Sequence, residues 1–154
     1  MKISDFLIAP SIKIPVKANT KKEVIDELVD LLVSAGKLTD KKKVVQVLMD
    51  REELGSTGIG QGIAIPHGKS DCAKELTAAI GLSKSGIAFD ALDGEPVHLI
   101  FLLVSPEWQA GAHLKALARI SSLLKDKYFK KALLQAETPE TVLKVIQEEE
   151  TRRV

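Results

Sequence analysis

The apolar positions of this chain recur with two periods. Between Thr20 and Gly36, apolar side chains fall at Val24, Ile25, Leu28, Leu31 and Leu32, three and four residues apart, which predicts a helix with one buried stripe. Thr20 and Glu23 have the spacing of a capping box, and Gly36 supplies a left-handed stop. Asp40 to Leu54 predicts a second helix with Val44, Val45, Val47 and Leu48 inward and Gly55 at its end. Leu76 to Leu82 and Val97 to Val104 read as strands. The second is apolar at successive positions, as a central strand covered on both faces must be. Ser11 to Val16 and Ile63 to Ile65 read as shorter strands. Gln109 to Lys125 and Tyr128 to Ala136 predict helices, and Thr138 caps a last one with Pro139 at its first helical position. Helices interleaved with a few strands predict an α/β sandwich.

Composition narrows the class. A length of 154 residues suits one domain, and 45% apolar with 28% charged residues is ordinary for a soluble globular protein. A formal charge of +1 lacks the concentrated positive charge that non-specific nucleic-acid binding uses to displace counterions. The single cysteine, Cys72, can form no internal disulfide and fits a reducing compartment. The first residues hold no signal-type apolar stretch. The run from Leu99 to Val104 is far shorter than the ~18 residues a membrane span needs. The expectation is a cytoplasmic protein with no nucleic-acid partner and no membrane insertion.

The unusual segment is GSTGIGQGIAIPHGK, Gly55 to Lys69, with four glycines in its first eight residues. Such a density excludes a helix interior and predicts a loop leading into the Ile63 strand. Two phosphate-binding patterns fail on spacing. Five residues rather than four separate Gly62 from Gly68-Lys69-Ser70, and Pro66 among them lacks the N–H that a phosphate cradle uses. Gly58, Gly60 and Gly62 miss the dinucleotide spacing as well.

A histidine closes the segment. Neutral imidazole can accept a phosphoryl group near pH 7, provided one ring nitrogen attacks while the other keeps its proton on a fixed acceptor. Phosphoryl transfer then asks mainly for positioning and charge stabilisation. His67 follows Pro66, which stiffens the backbone, and precedes Gly68, which leaves room beside it. His113 shares a helical stripe with Leu117, Ile120 and Leu124 and so points inward near a helix N-terminus, where an anion is favoured. Arg51, in the last turn of its helix, could cap carbonyls or reach across the glycine loop with its fork of donors. His98 lies within the apolar strand and reads as structural. No metal site is expected, because the three histidines and Cys72 have no ligand-like spacing.

Three segments together carry a resemblance: REELGSTGIGQGIAIPHGK (Arg51 to Lys69), FDALDGEPVHLIFLLVSPE (Phe89 to Glu107) and HLKALARISSLL (His113 to Leu124). In order and spacing the chain resembles the type-2 enzyme IIA proteins of the bacterial phosphotransferase system, the fructose–mannitol family that includes a nitrogen-regulatory branch. The resemblance covers nearly the whole chain and implies one domain over 1–154, with a mixed β-sheet of about five strands flanked by α-helices on both faces. It implies that His67 is the phosphorylated nucleophile, through Nε2, and that His113 and Arg51 stabilise the phosphoryl group. Gly55, Ser56, Thr57, Gly58, Gly60 and Gly68 would form the phosphoryl loop and partner surface, with Ile59, Ile63 and Ile65 as apolar docking candidates. No cofactor is implied. The donor would be an HPr-type phosphocarrier, and the acceptor a IIB domain or regulatory proteins. The wording LGSTGIG and the lack of a fused IIB or IIC segment favour a mainly regulatory output. Fructose- or mannitol-type uptake is the alternative, and a phosphorylation-independent binding module a second one.

Overall fold

The computed structural model describes residues 1–153. The elements, in chain order, are β1 (Ile12–Lys13), α1 (Lys21–Ser34), α2 (Lys41–Glu53), β2 (Gly58–Gly60), β3 (Ile63–Ala64), β4 (His67–Lys69), β5 (Thr77–Ile87), β6 (Val97–Ser105), α3 (Ala110–Leu124), α4 (Lys127–Gln135) and α5 (Pro139–Arg152). The six strands form one mixed sheet in the order β1-β5-β6-β3-β2, with β4 paired to β6 beyond the end of β3.

Side-chain alternation along the two long strands divides the core into two layers. Leu99, Phe101 and Leu103 of β6, with Ala78, Ile80 and Leu82 of β5, pack beneath α3, α4 and α5. Ile100, Leu102 and Val104, with Ala79, pack against α1 and α2. This double burial is why β6 is apolar at every step from Leu99 to Val104. At Gly81 a Cβ would lie 2.7 Å from Val16 Cγ1 and 3.1 Å from Leu28 Cδ2, so the absent side chain lets α1 lie close on the sheet.

The predicted helices form close to their expected bounds. Thr20 Oγ1 accepts from the Glu23 amide at 3.2 Å, and Thr138 Oγ1 accepts from the Thr141 amide at 3.1 Å. Three expectations need correction. The Ser11 to Val16 strand reduces to Ile12–Lys13. The Leu76 to Leu82 strand continues to Ile87, through a register shift between Leu82 and Ile87. The segment expected as loop plus one strand holds three short strands, and His67 begins one of them.

Candidate active site

β4 sets the position of His67. It runs parallel to β6 with His67 opposite Leu103, Gly68 opposite Val104 and Lys69 opposite Ser105. Cross-strand partners share a face, so His67 and Lys69 point to the α3 side while Gly68 faces α2. A Cβ on Gly68 would lie 2.9 Å from Val47 Cγ1. Glycine there lets α2 close onto the strand, and the last turn of α2 carries Arg51.

One cavity of about 560 Å³ joins the three residues singled out in the sequence: Arg51, His67 and His113, with Gly68, Lys69, Asp50 and Glu107 around them. The rings of His67 and His113 are 5.7 Å apart between centroids and tilted by 55°. His67 is half-buried. Its Nδ1 donates to the Ile65 carbonyl at 2.7 Å, since a carbonyl can only accept. The neighbouring Pro66 carbonyl is taken by the Leu103 amide at 2.9 Å. With the proton fixed on Nδ1, the lone pair of the neutral ring resides on Nε2. His113 is 3% exposed, and its Nδ1 lies 2.6 Å from Ser105 Oγ. Arg51 Nη1 donates to the Gly55 carbonyl at 3.1 Å, so the guanidinium both caps the chain after its helix and lines the cavity.

Both imidazoles are held neutral. Burial lowers the pKa of His67, and the Arg51 guanidinium lowers it further, against the opposing pull of the Ile65 carbonyl and Glu52. Burial, then the charges of His67 and Lys69, push His113 down to about 4. At neutral pH the site therefore offers a nucleophilic nitrogen beside cationic and N–H donors. That combination can accept a dianionic group in line and screen its charge.

The glycine-rich segment behaves differently from expectation. Ser56, Thr57, Gly58 and Gly60 are absent from the cavity lining, whereas Gly55 contributes its carbonyl to Arg51 and Gly68 lines the cavity. Thr57 is buried because the Glu52 carboxylate accepts from both its amide, at 3.2 Å, and its hydroxyl. Ser56 Oγ donates to the Phe89 carbonyl at 2.7 Å. Gly58 packs under Ala91 and Gly60 against Asp93. The segment is thus a clamped support rather than an open cradle.

The docking candidates also divide. Ile63 and Ile65 are 2% and 4% exposed, because the pairing of β3 with β6 turns them into the α3-side core. Ile59 remains exposed. The apolar side chains at the rim are instead Leu54, 84% exposed, and Leu114, 67% exposed. His98 lies apart, its Nδ1 donating to the Ser83 carbonyl at 2.8 Å, five residues along β6 from Leu103. At ~3.3 Å per residue that is roughly 17 Å from the strand position of His67. Sequence reasoning missed Lys69, Ser105 and Glu52. Of these, Ser105 had a signal: it ends the apolar run on the parity of Leu103.

Comparison with known proteins identifies the family. Residues 5–149 match the family described as phosphoenolpyruvate-dependent sugar phosphotransferase system, EIIA 2. The chain is 40% identical over 146 residues to the PTS system fructose-specific EIIABC component of Bacillus subtilis, covering 95% of this chain and 23% of that protein. It is 39% identical over 149 residues to a nitrogen regulatory protein of Bradyrhizobium diazoefficiens, covering 95% of each. The crystal structure of nitrogen regulatory protein IIA-Ntr from Neisseria meningitidis superposes with a TM-score of 0.87 at 34% identity, over 94% of this chain and 98% of that one. The chain belongs to the type-2 EIIA family of the phosphoenolpyruvate-dependent sugar phosphotransferase system.

Proposed function

We propose that this protein is a histidine phosphocarrier with mainly regulatory output, which takes a phosphoryl group on Nε2 of His67 from a phosphorylated HPr-type protein. The observation that carries the reading is the bond from His67 Nδ1 to the Ile65 carbonyl. It leaves Nε2 as the one nucleophilic nitrogen of a ring set beside His113 and Arg51. As the new Nε2–P bond forms, the P–N bond to the donor's histidine breaks and the donor nitrogen recovers its electron pair. The proton stays bonded to Nδ1 throughout, directed at the Ile65 carbonyl. Arg51 and His113 would donate to the phosphoryl oxygens, and Lys69 would add a second positive charge. His113 stands in the first turn of α3, whose positive end further favours an anion. Leu54 and Leu114 offer the apolar rim on which a partner would seat.

The regulatory reading is supported by full-length similarity to proteins named for nitrogen regulation. A sugar-uptake role, with a IIB domain as acceptor, is supported by the similarity to the Bacillus subtilis fructose-specific component. The test is incubation with enzyme I, an HPr-type donor and labelled phosphoenolpyruvate. Wild-type protein should take up acid-labile label and His67→Ala none. An unlabelled wild type, or equal label on the variant, would refute the phosphocarrier reading. Onward transfer of the label to a fructose-type IIB domain would favour uptake over regulation.

A further inference from the structure

Both imidazoles of the cavity are placed by the same strand. His67 is fixed to β6 by backbone pairing at Leu103, and His113 meets β6 through a side chain, Ser105. Ser105 is itself rigid. It is fully buried, pairs with Lys69 across the ladder, and its carbonyl accepts from the Ser70 amide at 2.9 Å. A hydroxyl 2.6 Å from Nδ1 can take part in two ways. If the ring donates from Nδ1, the serine proton is left buried, because among the described residues Ser105 Oγ has no other partner. A buried donor without an acceptor bears the full cost of its desolvation. If the serine donates instead, Nδ1 accepts, no buried donor is left over, and the ring proton resides on Nε2.

Resting on the phosphocarrier reading, we infer that Ser105 is a positioning residue: its hydroxyl donates to Nδ1 of His113 and keeps that ring's proton on Nε2, where it meets a phosphoryl oxygen as a donor. Without this constraint a neutral imidazole would present a lone pair to the anion in part of the population, and a lone pair repels a phosphoryl oxygen. The depressed pKa of His113 makes the point matter, since a doubly protonated ring would donate from either nitrogen.

The experiment is nitrogen-15 NMR of the imidazoles in the unphosphorylated protein near pH 7, for wild type, Ser105→Ala and Ser105→Thr, followed by the decay of the labelled phosphoprotein. The wild-type His113 should show a bare Nδ1 and a protonated Nε2. Ser105→Ala should populate both tautomers and shorten the phosphoprotein lifetime about fivefold, the size of one ordinary hydrogen bond. Ser105→Thr, which keeps the hydroxyl, should restore both. A wild-type ring protonated on Nδ1 overturns the inference whatever the variants do, and so does a folded Ser105→Ala with unchanged tautomer and lifetime. Absence of label on the wild type would instead overturn the phosphocarrier reading and leave the tautomer assignment standing.

Discussion

Gly68→Ala tests the close approach that brings Arg51 to His67. A methyl built on Gly68 would lie 2.9 Å from Val47 Cγ1 and 3.4 Å from Leu48 Cδ2. The backbone at Gly68 lies outside the left-handed region, so alanine meets no torsional strain. By restricting the unfolded chain it should even gain about 0.4–1 kcal/mol. Overpacking opposes this with about 1–3 kcal/mol. Val47 cannot yield by rotating, because a β-branched side chain on a helix has one strongly preferred rotamer. Leu48 is buried in the second core layer, where interiors are close-packed. Relief must come from lifting the end of α2, which carries Arg51 away from the cavity. The balance is a destabilisation of about 1–2 kcal/mol, seen as a Tm lower by about 2–8 °C for a chain of this size.

The assay is urea unfolding of Gly68→Ala, Val47→Ala and the double variant, with labelled phosphotransfer measured on each. Trimming Val47 removes the atom at 2.9 Å, so in that background alanine at 68 should cost nothing or stabilise slightly. The coupling between the two sites should therefore be about 1–2 kcal/mol, within the range seen for residues in contact. Phosphotransfer should slow in Gly68→Ala and recover in the double variant. Equal costs in both backgrounds would mean that the contact with α2 does not govern this position.

Three further outcomes are expected. Arg51→Ala should slow phosphoryl transfer about 10²-fold, the usual effect of removing one preorganised donor, while its urea midpoint stays near wild type; matching transfer rates would return Arg51 to a purely helix-ending role. Stability should fall as pH drops from about 6.5 to about 4, because His113 titrates at about 4 when folded and ~6.5 when unfolded, so the unfolded chain binds the proton first. The contribution reaches at most about 3 kcal/mol and levels off below pH 4, with His67 adding in the same direction; His113→Asn should flatten the profile over that window, and an unchanged slope would contradict the assignment. Glu52→Ala should cost about 3 kcal/mol and speed hydrogen exchange at the Thr57 amide, since Lys21, 3.2 Å from the carboxylate, and Thr57 both lose a buried partner; a protected Thr57 amide in that variant would show the loop to be held by something else.

Much of the fold was legible because burial imposes a period. The inward stripe of α1, the two-faced run of β6 and the stripe that turns His113 toward the core follow from side-chain geometry within one element. The second half of β5 was not legible. Ser83, Lys84, Ser85 and Gly86 have no apolar alternation, and they continue the strand only because the backbone keeps pairing across a register shift. The docking role expected of Ile63 and Ile65 failed for a related reason. Their exposure depends on which strand pairs with β3, and that is a long-range fact that residues close to His67 in sequence do not encode. Nothing in the local sequence separates Glu52 from its neighbour Glu53. Glu52 is buried because Thr57 and Lys21 fold back onto it.

The placement of the nucleophile on a short edge strand follows from the two-layer core. Arg51 belongs to the α2 layer and His113 to the α3 layer, and the interior of the sheet would hold them apart on opposite faces. Only at the sheet edge can groups from both layers reach one space. β4 supplies that edge, pairing with β6 alone among the described strands. Its alternation then does two things at once: His67 and Lys69 face the α3 layer, while Gly68, between them, thins the strand toward α2. A longer β4 would extend the ladder but add side chains on the α2 face where the helix must approach. A loop in its place would free the histidine from the Leu103 register that sets its distance to His113. A three-residue strand with a central glycine meets both demands, and the Ile65 carbonyl, in the two-residue link between β3 and β4, orients the ring it presents.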